Sequence, residues 1–262
     1  MTVGIWVCAL AASPAGFEVR QSLDDFRGQH GLGPVRQVES LTRAARAHCD
    51  YMLANNAFGH SQDPRHKSFT GRTSGDRARA FGYVGANCEA LSWSSLGDAD
   101  AFAGLIAAPY HRAMFLQPAR PDFGAAALDG TVCVKLGGET GDGAVVSPSD
   151  GTKAVPALWD GSETPDPLRG ANLKGDVGYP VVLALYGKDA KGFRFVSAAL
   201  TDKKRANVPM VVLHEGNVRH SKGMVVLIAR APLAKGAAYR ATVTYKNASG
   251  EHTVTSRFET AR

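Results

Sequence analysis

The sequence is poor in cysteine, with four in 262 residues: Cys8, Cys49, Cys88 and Cys133. None of their spacings has the C-x-x-C or zinc-ribbon form, which excludes a dithiol redox motif and a thiolate zinc site. Long apolar runs are missing too. No stretch approaches the roughly 20 apolar residues that a membrane-spanning helix needs, so the chain reads as not transmembrane. There is no G-x-S-x-G nucleophile elbow, which argues against a serine hydrolase. There is no basic stretch interleaved with aromatics, which argues against nucleic acid as a partner. Internal repeats and low-complexity tracts are absent. What remains is a chain that is 44% hydrophobic, enough for one large core or two ordinary ones.

The formal charge of +6 is unevenly placed. Residues 1–145 hold 13 Lys and Arg against 14 Asp and Glu, whereas residues 146–262 hold 17 against 10. The second half is therefore the basic one, densest at Lys203, Lys204 and Arg205. Such a surface can hold a protein near anionic polymers or lipids. The N-terminal 1–19 reads as a signal or a truncated leader. Val3 to Leu10 is apolar and Ala9-Leu10-Ala11 has the small-x-small form, although no Lys or Arg precedes Arg20. That points to export, to the outside of the cell or to the envelope. With the leader removed, Cys49, Cys88 and Cys133 remain, enough for one disulfide at most. Cys88 and Cys133 both lie in strand-like segments and are the candidate pair.

The pattern of apolar residues changes part-way along the chain. Ser22–His30, Glu39–Ala57, a segment opened by the capping box Thr73-Ser-Gly-Asp76, and a segment opened by Asp98 and ending near Pro109 read as helices. Val132, Val134 and Leu136 alternate as in a half-buried strand. After the glycine-rich Gly137–Gly143, six short β-like runs follow, at 181–186, 193–199, 208–213, 224–229, 239–245 and 252–258, separated by turn residues. The fold class is therefore α+β: a mixed unit over 20–140 and an all-β sandwich over 148–262.

Several segments of the first unit, in order, resemble the bacterial branch of the CAP superfamily (cysteine-rich secretory, antigen 5 and pathogenesis-related, also called SCP-like). They are Leu23-Asp-Asp-Phe-Arg27 with His30-Gly-Leu-Gly-Pro34, Leu41 to Met52, Phe58-Gly-His60, Asp76-Arg77 with Gly82-Tyr83, Asn87-Cys-Glu89, and Pro109-Tyr-His111-Arg112. The resemblance implies an α-β-α sandwich and a cleft lined by His60, Glu89 and His111. In many relatives the histidines can hold a divalent cation, often zinc, and two imidazoles with a carboxylate are suitable zinc ligands. Two departures stand out. The helix before His111 carries no acid, Leu105-Ile-Ala-Ala-Pro109, and Ala86-Asn-Cys-Glu89 alters the family's G-E-N order. The second unit resembles bacterial immunoglobulin-like domains through Pro232-Leu with Gly236 and Tyr239, closing on Phe258-Glu-Thr260.

Three functions compete. The first is a secreted or envelope-associated protein whose cleft binds a divalent cation or a small or polymeric ligand, with the basic second unit near an anionic surface. The second is a metal-assisted hydrolase or protease using His60, Glu89 and His111. The third is a structural or adhesion protein with a vestigial cleft. The missing acid favours a binding protein over an enzyme, because general acid–base work needs a placed proton acceptor besides the metal ligands.

Overall fold

The structure is a computed structural model, and it describes residues 18–262 except Asn172 and Lys174. The leader and Cys8 lie outside the described residues. The first unit is built around a four-stranded sheet of order β1-β3-β4-β2, formed by β1 (Arg36–Gln37), β2 (Asn87–Trp93), β3 (Asp122–Leu128) and β4 (Thr131–Gly137). Strand β4 is central and buried along its whole length. Val132, Val134 and Leu136 point to one face, where Leu23 of α1 (Val19–Gly28), Phe102 and Leu105 of α4 (Asp98–Ala107) and Phe115 of α5 (Pro109–Phe115) close the core. Cys133 points to the other face, against Ala45, Cys49 and Met52 of α2 (Glu39–Asn55). The sheet thus lies between helical layers. Gly124 on β3 allows the closest approach of α2: a Cβ there would sit inside the Leu41–Thr42 peptide.

Local signals explain the helices. Thr73 and Asp76 cap α3 (Ser74–Ala80) reciprocally, each accepting the other's backbone N–H. Helix α2 ends where Asn56 turns left-handed, at φ 47°. The alternation at 132–136 suggested a half-buried strand, but helices on both sides bury β4 completely. The intervening polar position, Lys135, is fully buried with the rest.

The second unit begins earlier than residue 148. Strand β5 (Gly143–Ser147) already pairs antiparallel with β9 (Val181–Tyr186), and only 138–142 link the units. One sheet has order β11-β12-β9-β5, with β11 (Met210–Leu213) and β12 (Met224–Ala229). The other has order β10-β13-β14-β6, with β6 (Thr152–Val155), β10 (Arg194–Asp202), β13 (Ala238–Asn247) and β14 (Gly250–Thr260). Their inner faces share one core, including Leu183, Leu227, Val243 and Phe258. A small pair, β7 (Leu158–Trp159) and β8 (Val177–Gly178), lies beside them. Lys203, Lys204 and Arg205 are exposed on the turn after β10.

The two units meet along α5. Ala113 packs with Trp159, Val182 and Ile228 on the outer face of the β9 sheet. The fully buried Arg112 donates to the carbonyls of Ile106 and Ala107 and, at 2.6 Å, to Pro180 of the second unit. Its guanidinium lies 4.3 Å from the Tyr179 ring centroid. Tyr186 donates back to the Ala113 carbonyl at 2.5 Å.

Candidate functional site

A cleft of about 1960 Å³ runs along the seam. The first unit contributes Met52, Phe58, His60, Leu91, Trp93 and His111, and the second contributes Leu158, Trp159 and Glu163. The expected histidines both line it. Glu89 does not. Its carboxylate is 1% exposed and lies behind His60, so it is not part of the cleft surface.

Glu89 is instead the centre of a buried charge network. It stands directly opposite Lys135 in the β2–β4 register, on the face covered by α2. Lys135 Nζ lies 2.8 Å from Oε2. Arg77 Nη2 donates to Oε1 at 2.6 Å and to the His60 carbonyl at 2.9 Å, which ties the histidine loop down. His60 Nδ1 is 3.1 Å from Oε1, and the His60 side chain is 55% exposed toward the cleft. Burial alone would raise the Glu89 carboxyl. The hydrogen bond from His60 and the charges of Lys135 and Arg77 outweigh it and hold the group well below the usual carboxylate range. His48, fully buried on α2, is 3.6 Å from Glu89. Burial, with the positive charges of Arg77 and Lys135, pushes it down to about 4, so it is neutral at pH 7. The network assigns its tautomer: Nε2–H donates to the Gly59 carbonyl at 3.0 Å and Nδ1 accepts from Gln62 at 3.0 Å.

His111 sits elsewhere on the cleft, on the first turn of α5, and its carboxylate partner comes from the second unit. Glu163 Oε1 accepts the His111 backbone N–H at 2.9 Å, and Oε2 accepts that of Tyr110 at 3.1 Å. These are two of the four N–H groups that a helix start leaves free. The local N-cap, Ala108, has no side chain that can take them. Oε1 also lies 2.8 Å from His111 Nδ1, and the Glu163 side chain is buried. Removing it in Glu163→Ala should cost about 1–2 kcal/mol as a lost cap. Hydrogen exchange should show faster protection loss at the Tyr110 and His111 amides; unchanged rates would refute the capping role.

The structure brings His60 and Glu89 together and leaves His111 with Glu163. Among the described residues, no group of three or more His, Cys, Asp and Glu is placed to hold a metal ion. The donor set does not fit zinc: a metal on Glu89 would share its carboxylate with a guanidinium and an ammonium. Titrated by calorimetry, zinc is expected to show no one-to-one binding that is lost in the His60→Ala/His111→Ala double variant. Micromolar binding lost in that variant would show that the histidines converge after all.

The cysteine pair is also not brought together. Cys88 faces Leu136 across β2–β4, and Cys133 faces Leu91. Three positions separate them, on opposite faces of the sheet. Cys49, Cys88 and Cys133 are all free. Burial raises the Cys133 thiol well above its ordinary value, which removes it as a nucleophile at neutral pH.

Lys135 and Glu163 were not singled out from the sequence. Lys135 had a signal, a lysine inside the apolar run Val132–Leu136. Glu163 had none, because it lies in an irregular loop and its partner is 52 residues away.

Residues 21–133 match the model of the cysteine-rich secretory protein family, CAP. This segment is a CAP domain. The match covers all of the CAP-like segments up to β4 and stops before the second unit. Among solved structures, the chain is similar to an extracellular protein containing a SCP domain from Bacillus anthracis str. Ames, at 18% identity and a TM-score of 0.41. That similarity covers 45% of this chain and 38% of the other, so the chain spans well under half of that protein's length. A search of curated proteins finds no match. Among the described residues, no helix is long and apolar enough to cross a membrane.

Proposed function

We propose that the protein is an exported, extracytoplasmic binding protein whose ligand site is the cleft between its CAP domain and an immunoglobulin-like second unit. The observation that carries this reading is the composition of the cleft wall. Phe58 is 59% exposed and Trp93 60%, with Leu158 at 43% facing them from the second unit. Large apolar side chains left in water around a concavity are a mark of ligand binding. Two four-stranded sheets over one core support the immunoglobulin-like assignment of the second unit. The apolar run Val3–Leu10 and the secretory family support export.

The hydrolase reading gains nothing from the site. Glu89 is pinned between Arg77 and Lys135, and among the described residues no other carboxylate pairs with His60 to take a proton. The test is a thermal-shift and calorimetric screen of fatty acids, sterols, glycans and peptides against the wild type and Trp93→Ala. Binding of one class that falls about tenfold in the variant is expected, a loss of about 1.4 kcal/mol. Binding that ignores Trp93 would place the ligand site elsewhere.

A further inference from the structure

The charge of the cleft is opposite to that of the chain. The chain carries +6, yet among the described residues no Lys or Arg lines the cleft, while Asp25, Asp100, Asp160, Glu163 and Asp166 do. Glu163 is committed to α5. The other four are exposed. Their polar partners are Gln21, Ser94, Ser162 and backbone N–H groups, and among the described residues none pairs with a Lys or Arg. A carboxylate wall beside exposed aromatic rings attracts cations twice, by charge and by the ring faces. It repels fatty-acid carboxylates and phosphates.

A second feature sets the shape of the occupant. Strand β2 is the edge of its sheet: β4 pairs with one side, and among the described residues no strand pairs with the other. Its last residues, Leu91, Ser92 and Trp93, line the cleft. An unpaired strand edge offers a row of N–H and C=O groups to an incoming extended chain. A protein usually shields such an edge with lysine or proline, and Asn87–Trp93 has neither.

We infer that the cleft takes an extended cationic peptide, which adds as a strand to the open edge of β2 while its Lys or Arg side chains meet Asp100 and Asp160 and its apolar ones meet Phe58 and Trp93. This rests on the cleft being a ligand site and names its ligand class. Backbone pairing makes the site tolerant of sequence, and the acidic wall makes it selective for charge.

The experiment is calorimetry of the full protein with a short peptide alternating lysine and leucine. The comparison peptides replace lysine by glutamine, replace it by glutamate, or carry N-methyl groups on alternate backbone nitrogens. The lysine peptide is expected to bind at least about tenfold more tightly than the glutamine one, and the glutamate peptide not at all. High salt and Asp100→Asn/Asp160→Asn, changes at exposed positions that leave the core intact, should each weaken binding about tenfold. N-methylation should do the same if the backbone pairs. Equal affinity for the glutamine or glutamate peptide would overturn the inference, as would indifference to N-methylation. If no peptide binds but a lipid or glycan binds in a Trp93-dependent way, the cationic-peptide inference falls and the ligand cleft stands. If nothing binds in a Trp93-dependent way, both fall.

Discussion

Glu89→Gln is expected to destabilise the protein by about 3–5 kcal/mol, the largest single effect of any site residue. The change keeps the shape of the side chain and removes the charge. Arg77 and Lys135 are both fully buried, and each holds its place by facing that carboxylate at 2.6 and 2.8 Å. Without it, two cations remain in the core with too few acceptors, and the desolvation cost of each is no longer offset. Lys135→Met alone removes one cation and leaves Arg77 on Glu89, so it should cost less. Combining the two should recover about 1–3 kcal/mol relative to the sum of the single losses. Urea unfolding of the four proteins gives the cycle. Additive losses would mean that Glu89 and Lys135 act independently, and a Glu89→Gln loss below about 1 kcal/mol would mean that the network is not structural. Should Glu89→Gln fail to accumulate, rescue by Lys135→Met reads the same coupling.

The second large effect is a loss of stability on mild acidification, set by His48. In the fold its pKa is pushed down to about 4 from 6.5. The unfolded chain therefore takes up a proton between these values and the folded one does not, so stability is complete above about pH 6.5 and is lost as pH falls toward 4. A shift of this size corresponds to up to about 3 kcal/mol. Glu89 acts in the same direction but lower. Its folded pKa is depressed, so its contribution is present above the unfolded value of 4.5 and is lost as pH falls further. The wild type should unfold more readily at pH 5 than at pH 7. His48→Gln should start less stable and show a flatter dependence in that interval. An unchanged slope in the variant would assign the acid sensitivity to other groups.

Much of the fold was legible because it is written locally. The box at Thr73 and Asp76, the left-handed stop at Asn56 and the continuous apolar runs at 181–186 and 224–229 are signals within one element. The elements that escaped depend on their neighbours. Helix α5 begins at Pro109, which the sequence offers equally well as the end of α4, and its N-terminal N–H groups are answered by Glu163 from another unit. Strand β5 begins on the last glycine of Gly137–Gly143, a stretch that reads as linker. In the site, the two histidines were legible by resemblance, but their partners were not. Alignment of Asn87-Cys-Glu89 marks Glu89 as important without showing that Arg77 and Lys135 occupy it. The missing acid before His111 was visible. The carboxylate that stands there instead was not, since no periodicity links residue 163 to residue 111.

The seam along α5 also orders events during synthesis. The CAP domain leaves the ribosome first, and at that moment α5 lacks the carboxylate for its first turn, the Pro180 carbonyl for Arg112 and the Tyr186 hydroxyl for Ala113. The nascent N-terminal half can build its sheet and its Glu89 network early, whereas the wall of the cleft around His111 is completed only after β9 has emerged. The chain thus completes the cleft between its two units last, from a framework already set.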